Sequence, residues 1–180
     1  MGRNEGDLEC RAIYDPADLI KIYDYYLPRV YKYIRYRINN QDEAEDLTSK
    51  VFEQVLTNIG RYNPERSPFT TWIFTITHNI ITDYFRMRKR RQIVSIDLIG
   101  ELACARSGPA DAVVQNETRE ELLRTLFRLS ERERNIIGLK FAAGLSNRAI
   151  SEMTGLTESN VAVILYRALK KMKSDLSTEK

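Results

Sequence analysis

The sequence predicts an all-α protein of two small helical domains joined by a linker, the C-terminal one containing a helix-turn-helix. Apolar residues recur three and four apart through most of the chain, the period of an amphipathic helix. Glycine and proline are scarce, eight and five among 180 residues, too few for a turn-rich β protein. The periodicity fades between 92 and 116, where Ser107-Gly108-Pro109 breaks any helix. The expected organisation is therefore a first domain over 15–91, a linker over 92–116 and a second domain over 117–176.

Asp15-Pro16 opens the first helix, with Asp15 as N-cap and Pro16 at the first helical position. Leu19, Ile20 and Tyr23 start its apolar stripe and Val30, Ile34 and Ile38 continue it. Pro28 lies inside the pattern and is expected to kink or restart the helix. After the Asn39-Asn40 turn signal a second helix is expected from about Asp42 to Ile59, carrying Ala44, Leu47, Val51 and Val55, with Gly60 ending it. Its acidic first turn suits the positive end of the helix dipole. A polar loop, Arg61 to Arg66, leads to Ser67-Pro68, which caps a third helix bearing Phe69, Trp72, Ile73, Ile76, Ile80 and Tyr84 and ending in basic residues at Arg91. Trp72 and Ile76 fit a core stripe, and His78 a surface or half-buried position without chemistry.

In the second domain Leu122, Leu126 and Leu129 mark a helix that stops near Ser130. Ser130-Glu131-Arg132-Glu133 has capping-box spacing and starts the next helix, with Ile136, Ile137, Leu139 and Lys140, which ends at Gly144. Ser146 to Thr154 reads as a short helix, Gly155-Leu156 as a turn, and Thr157 to about Lys173 as a longer helix. Two helices crossing at a wide angle need a small residue at the contact, Ser151, and one tolerant of positive φ in the turn, Gly155. Ile150, Leu156, Val161 and Ile164 supply the apolar seam. This is the spacing of a DNA-binding helix-turn-helix, whose second helix enters the major groove by its N-terminal residues. Candidate contacts are Arg148, Thr157, Glu158, Ser159, Asn160, Ala162, Val163 and Tyr166, with Arg167 and Lys170 nearer phosphates. Asparagine suits adenine, and apolar side chains a thymine methyl.

Composition narrows the function classes. The net charge of +3 is mild, but its distribution is uneven. Basic residues cluster at Arg86, Arg88, Lys89, Arg90 and Arg91 and again at Arg167, Lys170, Lys171 and Lys173, while Asp42, Glu43, Glu45 and Asp46 form an acidic patch. Separated patches of opposite sign point to more than one kind of partner. Cys10, Cys104 and the single histidine, His78, lack metal-ligand spacing, so neither a metal site nor another cofactor is expected. No apolar run has membrane-spanning length and the first residues do not form a signal peptide, so the expected location is the cytoplasm. Without a nucleophile–base pair, a phosphate-binding glycine loop or a metal cluster, an enzyme is disfavoured.

Both halves resemble the extracytoplasmic-function (ECF) sigma factors of bacterial RNA polymerase. The first half does so through Asp42-Glu43-Ala44-Glu45-Asp46-Leu47-Thr48-Ser49-Lys50-Val51-Phe52, then Phe69-Thr70-Thr71-Trp72-Ile73, His78-Asn79 and Asp83-Tyr84-Phe85-Arg86. The second does so through Leu129-Ser130-Glu131-Arg132-Glu133-Arg134 and the helix-turn-helix. The resemblance implies a non-catalytic initiation factor whose partners are core RNA polymerase, through its largest and second-largest subunits, promoter DNA and an anti-sigma factor that can hold it at the inner membrane face. It implies polymerase docking by Asp46, Thr48, Val51, Phe52, Gln54 and Val55. It implies minus-ten recognition and melting by Tyr62, Phe69, Thr70, Asn79, Asp83, Arg86, Arg88 and Arg90, and minus-thirty-five reading by the helix-turn-helix. A free-standing helix-turn-helix regulator is the alternative, although it would need neither the acidic second helix nor the basic third.

Overall fold

Ile22, Tyr26, Val30, Tyr33 and Ile34 recur along one stripe of the first helix, α1 (Pro16–Arg37), and all five are buried. The computed structural model describes residues 16–94 and 113–178, with side chains over 19–90 and 120–177. Asp15 therefore lies outside the described residues, as do both cysteines. Helix α1 runs through Pro28 without a break. Pro28 and Asp24, whose carbonyl loses its usual N–H partner, both lie on the exposed side, where water can satisfy that carbonyl.

Helix α2 (Gln41–Asn58) begins one residue before the expected start, because Asn40 caps it by accepting the Glu43 N–H at 2.9 Å. Gly60 does not end it through a left-handed turn; among the described residues only Gly144 and Gly155 have positive φ. A single 3-10 turn, Ile59–Arg61, closes the helix instead. Helix α3 (Phe69–Val94) follows, and Phe69, Ile73, Phe74, Thr77 and Ile81 bury its inner face against α1 and α2.

Helix α4 (Val113–Phe127) starts the second half. Residues 92–94 and 113–116 are thus helical, and the remainder of the stretch read as a linker lies outside the described residues. Helix α5 (Glu131–Phe141) opens on a complete capping box: the Ser130 hydroxyl accepts the Glu133 N–H, and the Glu133 carboxylate accepts the Ser130 N–H at 2.8 Å. These bonds from Ser130 hold the Glu133 carboxyl below its ordinary value. A depressed carboxyl stabilises the fold above its unfolded pKa, and that contribution is lost as pH falls through the lower folded value. Ser130→Ala should cost about 0.5–2 kcal/mol at neutral pH, read by urea titration, and the deficit should shrink in acid. Helices α6 (Asn147–Thr154) and α7 (Glu158–Thr178) complete the order; among the described residues there are seven α-helices and no strand.

The two halves are packed together. One buried cluster runs from Ile22 to Met172, and α1 is its shared element, meeting α2 and α3 on one side and α5 on the other. At the α1–α5 contact the Tyr33 hydroxyl donates to Asn135 Oδ1 at 2.7 Å and lies 3.2 Å from His78 Nδ1. Arg37 donates to the same Asn135 oxygen, and Arg29 Nη2 donates to the Ala143 carbonyl at 2.6 Å. Burial raises the Tyr33 hydroxyl to about 12. Burial, helped by the neighbouring Arg37 charge, holds His78 below its ordinary value. His78 is half-buried, as its spacing predicts, but it sits where the two halves meet.

Candidate nucleic-acid interface

The helix-turn-helix forms as its spacing predicts. The Ser146 hydroxyl caps α6 by accepting the Ala149 N–H, and Gly155 ends it at φ 70° and ψ 14° while donating its N–H to the Ser151 carbonyl. Thr157 caps the next helix by accepting the Asn160 N–H at 3.2 Å. Ile150 and Val161 are fully buried in the seam, and Leu156 and Ile164 are half-buried beside them. Along α7, Val161, Leu165, Ala168 and Met172 face inward with the spacing of one helical face.

That inward face turns the opposite one outward. Thr157, Glu158, Ser159, Asn160, Ala162, Val163, Tyr166, Arg167 and Lys170 are all exposed. Tyr166 is 67% exposed, an unusual state for a large aromatic ring and one that suits a contact surface. Leu169 extends this patch beyond the expected contacts. Arg148 on α6 is exposed and pairs with Glu152 at 3.1 Å. Such a surface pair is worth at most about 1 kcal/mol and yields readily to a phosphate.

A second exposed surface lies on α3. Asn79, Asp83, Arg86 and Arg90 are exposed and recur at intervals of four, three and four, so they line one helical face. Asp83 and Arg86 pair across it at 2.9 Å, both well exposed. Arg88 does not share this face: nine residues from Asn79 puts it half a turn away. There it donates to the Tyr84 hydroxyl, which in turn donates to Glu43 on α2 at 2.7 Å.

The loop before α3 is built on aromatic rings. Tyr62, Phe69 and Trp72 stand 5.1–5.2 Å apart, and the Tyr62 hydroxyl donates to the Ser67 carbonyl across the loop. Tyr62 and Phe69 are buried, so they set the loop's shape from below instead of presenting a stacking face. Thr70 Oγ1 is engaged with the Tyr26 hydroxyl at 2.7 Å. The groups that reach solvent here are Asn63, Pro64, Glu65, Arg66 and Pro68, with Arg61 beside them. Arg61 and Arg66 are cations beside the α3 surface to which the sequence pattern assigns no role; their only signal is position within a polar loop.

On α2 the structure divides the six expected docking residues. Asp46 and Gln54 are exposed, whereas Thr48, Val51 and Val55 are core and Phe52 is buried against Tyr23, ring centroids 4.6 Å apart. The outward face carries Asp42, Asp46, Ser49, Glu53 and the 58% exposed Leu56. Beside it Tyr23, Leu27, Pro28, Tyr31, Thr48 and Phe52 line an apolar groove of about 400 Å³. Among the described residues no helix is long and apolar enough to cross a membrane.

The chain matches known proteins in sequence and in fold. Residues 22–91 match the family described as Sigma-70 region 2, and residues 119–172 that described as Sigma-70, region 4. The ECF RNA polymerase sigma factor BldN of Streptomyces coelicolor is 31% identical over 83% of this chain, which spans 57% of that relative's length. The ECF RNA polymerase sigma factor SigM of Bacillus subtilis is 28% identical over 86% of this chain and 92% of its own. The sigma factor RpoE, solved with the anti-sigma factor NepR from Bartonella quintana, aligns at a TM-score of 0.67 with 22% identity, covering 91% of this chain and 99% of that one.

Proposed function

Since this chain belongs to the sigma-70 family, as an RNA polymerase sigma factor of the ECF type, we propose a division of labour among its three exposed faces. The acidic face of α2, with Asp42, Asp46, Glu53 and Leu56, docks on core polymerase, with the exposed Gln54 at its edge. Its mixture of charge and apolar surface suits a helix-on-helix contact with a polar rim. The loop from Tyr62 to Thr71 and the Asn79–Asp83–Arg86–Arg90 face hold the opened minus-ten strand: loop groups take an unstacked base, and the arginines follow phosphates. Helix α7 reads the minus-thirty-five duplex by its exposed N-terminal half.

The observation that carries this reading is the coexistence, in one chain, of an exposed helix-turn-helix face and a second exposed face on α3 that carries Asn79, Arg86 and Arg90. A free-standing regulator would need only the first. The chain supplies binding and positioning; the polymerisation chemistry belongs to the polymerase. It works in the cytoplasm, and an anti-sigma factor is its regulatory partner, as one is for RpoE of Bartonella quintana.

The deciding experiment adds the purified chain to core polymerase and looks for promoter-specific transcripts. Protection of duplex DNA without any programmed transcription would establish the free-standing regulator instead. Within the same assay, Asn79→Ala should lower strand opening, seen as reduced permanganate reactivity at the minus-ten element, while leaving duplex binding nearly unchanged. Undiminished opening at every promoter would displace the base pocket from this face.

A further inference from the structure

The basic end of α3 lies beyond the core. Ile81 is the last buried residue of that helix among those described, and Arg86, Arg88, Lys89 and Arg90 follow it into solvent. Arg90 comes nine residues after Ile81, roughly 14 Å along the axis at ~1.5 Å per residue. Over that length a tilt of about 10° at Ile81 carries Arg90 about 2 Å sideways. The aim of this end is therefore set by whatever grips it after Ile81.

Among the described residues two adjacent side chains do so, and they reach different helices. Phe85 packs under the Arg37 guanidinium of α1, 5.4 Å from its ring centroid. Tyr84 reaches α2: its hydroxyl donates to Glu43 Oε2 at 2.7 Å and accepts from Arg88 Nη1 at 3.2 Å. Both rings are half-buried and meet edge-on at 5.4 Å. The Asp83–Arg86 pair stays within α3 and so cannot fix its direction.

Glu43 is a firm anchor. It sits half-buried in the first turn of α2, and the Asn40 side chain accepts its backbone N–H at 2.9 Å. A hydroxyl donating to a carboxylate makes a stronger bond than one between neutral groups. Burial, together with the Glu43 contact, raises the Tyr84 hydroxyl above its ordinary value, so it keeps the proton it donates. Beside Glu43, Asp42 and Asp46 belong to the face proposed to dock on polymerase. One hydrogen bond thus joins the docking helix to the helix that bears the minus-ten face.

We propose that Glu43 and Tyr84 are positioning residues: their hydrogen bond aims the basic end of α3 relative to α2, and promoter opening depends on that aim. This rests on the function proposed above. Groups held for one geometry lose rate steeply when displaced by an ångström or so.

The test uses the full chain with core polymerase and promoter DNA carrying 2-aminopurine in the minus-ten element, which brightens as the base unstacks. Tyr84→Phe and Glu43→Ala should each slow opening about three- to tenfold, with affinity for core polymerase changed by less than about twofold. The double variant should be no slower than either single one, because both remove the same bond. Glu43→Gln keeps an oxygen acceptor and should stay within about twofold of the unmodified chain. Unchanged opening in both single variants overturns the proposal. So does an equal loss in Glu43→Gln, which assigns the effect to charge, or a parallel fall in polymerase affinity, which makes the bond merely structural.

The free chain gives a second readout. Spin labels at Ser49→Cys and Lys89→Cys, with Cys10→Ser and Cys104→Ser, should show broader distances in Tyr84→Phe and Glu43→Ala than in Glu43→Gln. Equal distributions in all three overturn the positioning role. Absence of opening by the unmodified chain would refute the proposed function instead, while the label distances would still decide whether this bond aims α3.

Discussion

A chain carrying both Arg167→Ala and Lys170→Ala should bind minus-thirty-five duplex DNA about tenfold or more weakly near 0.1 M salt, with a flatter salt dependence. Both residues are exposed on α7, away from the buried Val161–Leu165–Ala168–Met172 face and C-terminal to the positions proposed to read bases. Each phosphate contact releases about 0.9 counterion, so losing two should reduce the slope of log affinity against log salt by about 2. The loss should be similar on matched and scrambled DNA, because phosphates carry no sequence. Asn160→Ala supplies the contrast: its expected cost of about 1–3 kcal/mol should fall on the preferred sequence alone. Fluorescence anisotropy across a salt series measures both quantities. An unaltered slope in the double variant would move the phosphate contacts off this part of α7.

Phe74→Ala should destabilise the fold by about 3–5 kcal/mol. Phe74 is fully buried on α3, with its ring edge-on to Tyr33 at 5.7 Å and 6.0 Å from the Arg29 guanidinium. Its removal leaves a cavity behind Tyr33 and Arg29, two of the α1 side chains that reach the second half of the protein. Against a typical total stability of about 5–15 kcal/mol this is a large fraction, and it should lower the urea midpoint by ~2 M. A loss below about 1 kcal/mol would show that α1 and α3 collapse into the space and that the core between them is loosely specified.

Local rules explain which parts of this protein are legible in its sequence. The capping box at Ser130, the left-handed Gly155 and the inward stripe of α7 each depend on residues within one or two helical turns, and each forms as spacing predicts. Expectation and structure part where a stripe alone does not say what lies against it. The family resemblance puts Thr48, Val51 and Val55 on a docking face, yet α2 turns them into its own core and presents Asp42, Ser49, Glu53 and Leu56 instead. It also turns Tyr62 and Phe69 toward the minus-ten strand, but the two rings meet each other beneath the loop. Arg88 groups with Arg86 by proximity along the chain, although helical rotation carries it to Tyr84 and Glu43.

The sequence by itself determined the helices, the helix-turn-helix, the family resemblance and the charge of each exposed face, because periodicity, caps and turns are set by neighbours along the chain. Only tertiary structure decided that α1 buries two sides, that Gly138 is shaped to Tyr33, and that Arg37, His78 and Asn135 meet where the halves join. The Tyr33–Asn135, Arg37–Asn135 and Tyr33–Gly138 pairings join residues about a hundred positions apart, and their packing and desolvation energies exist only once both helices have arrived.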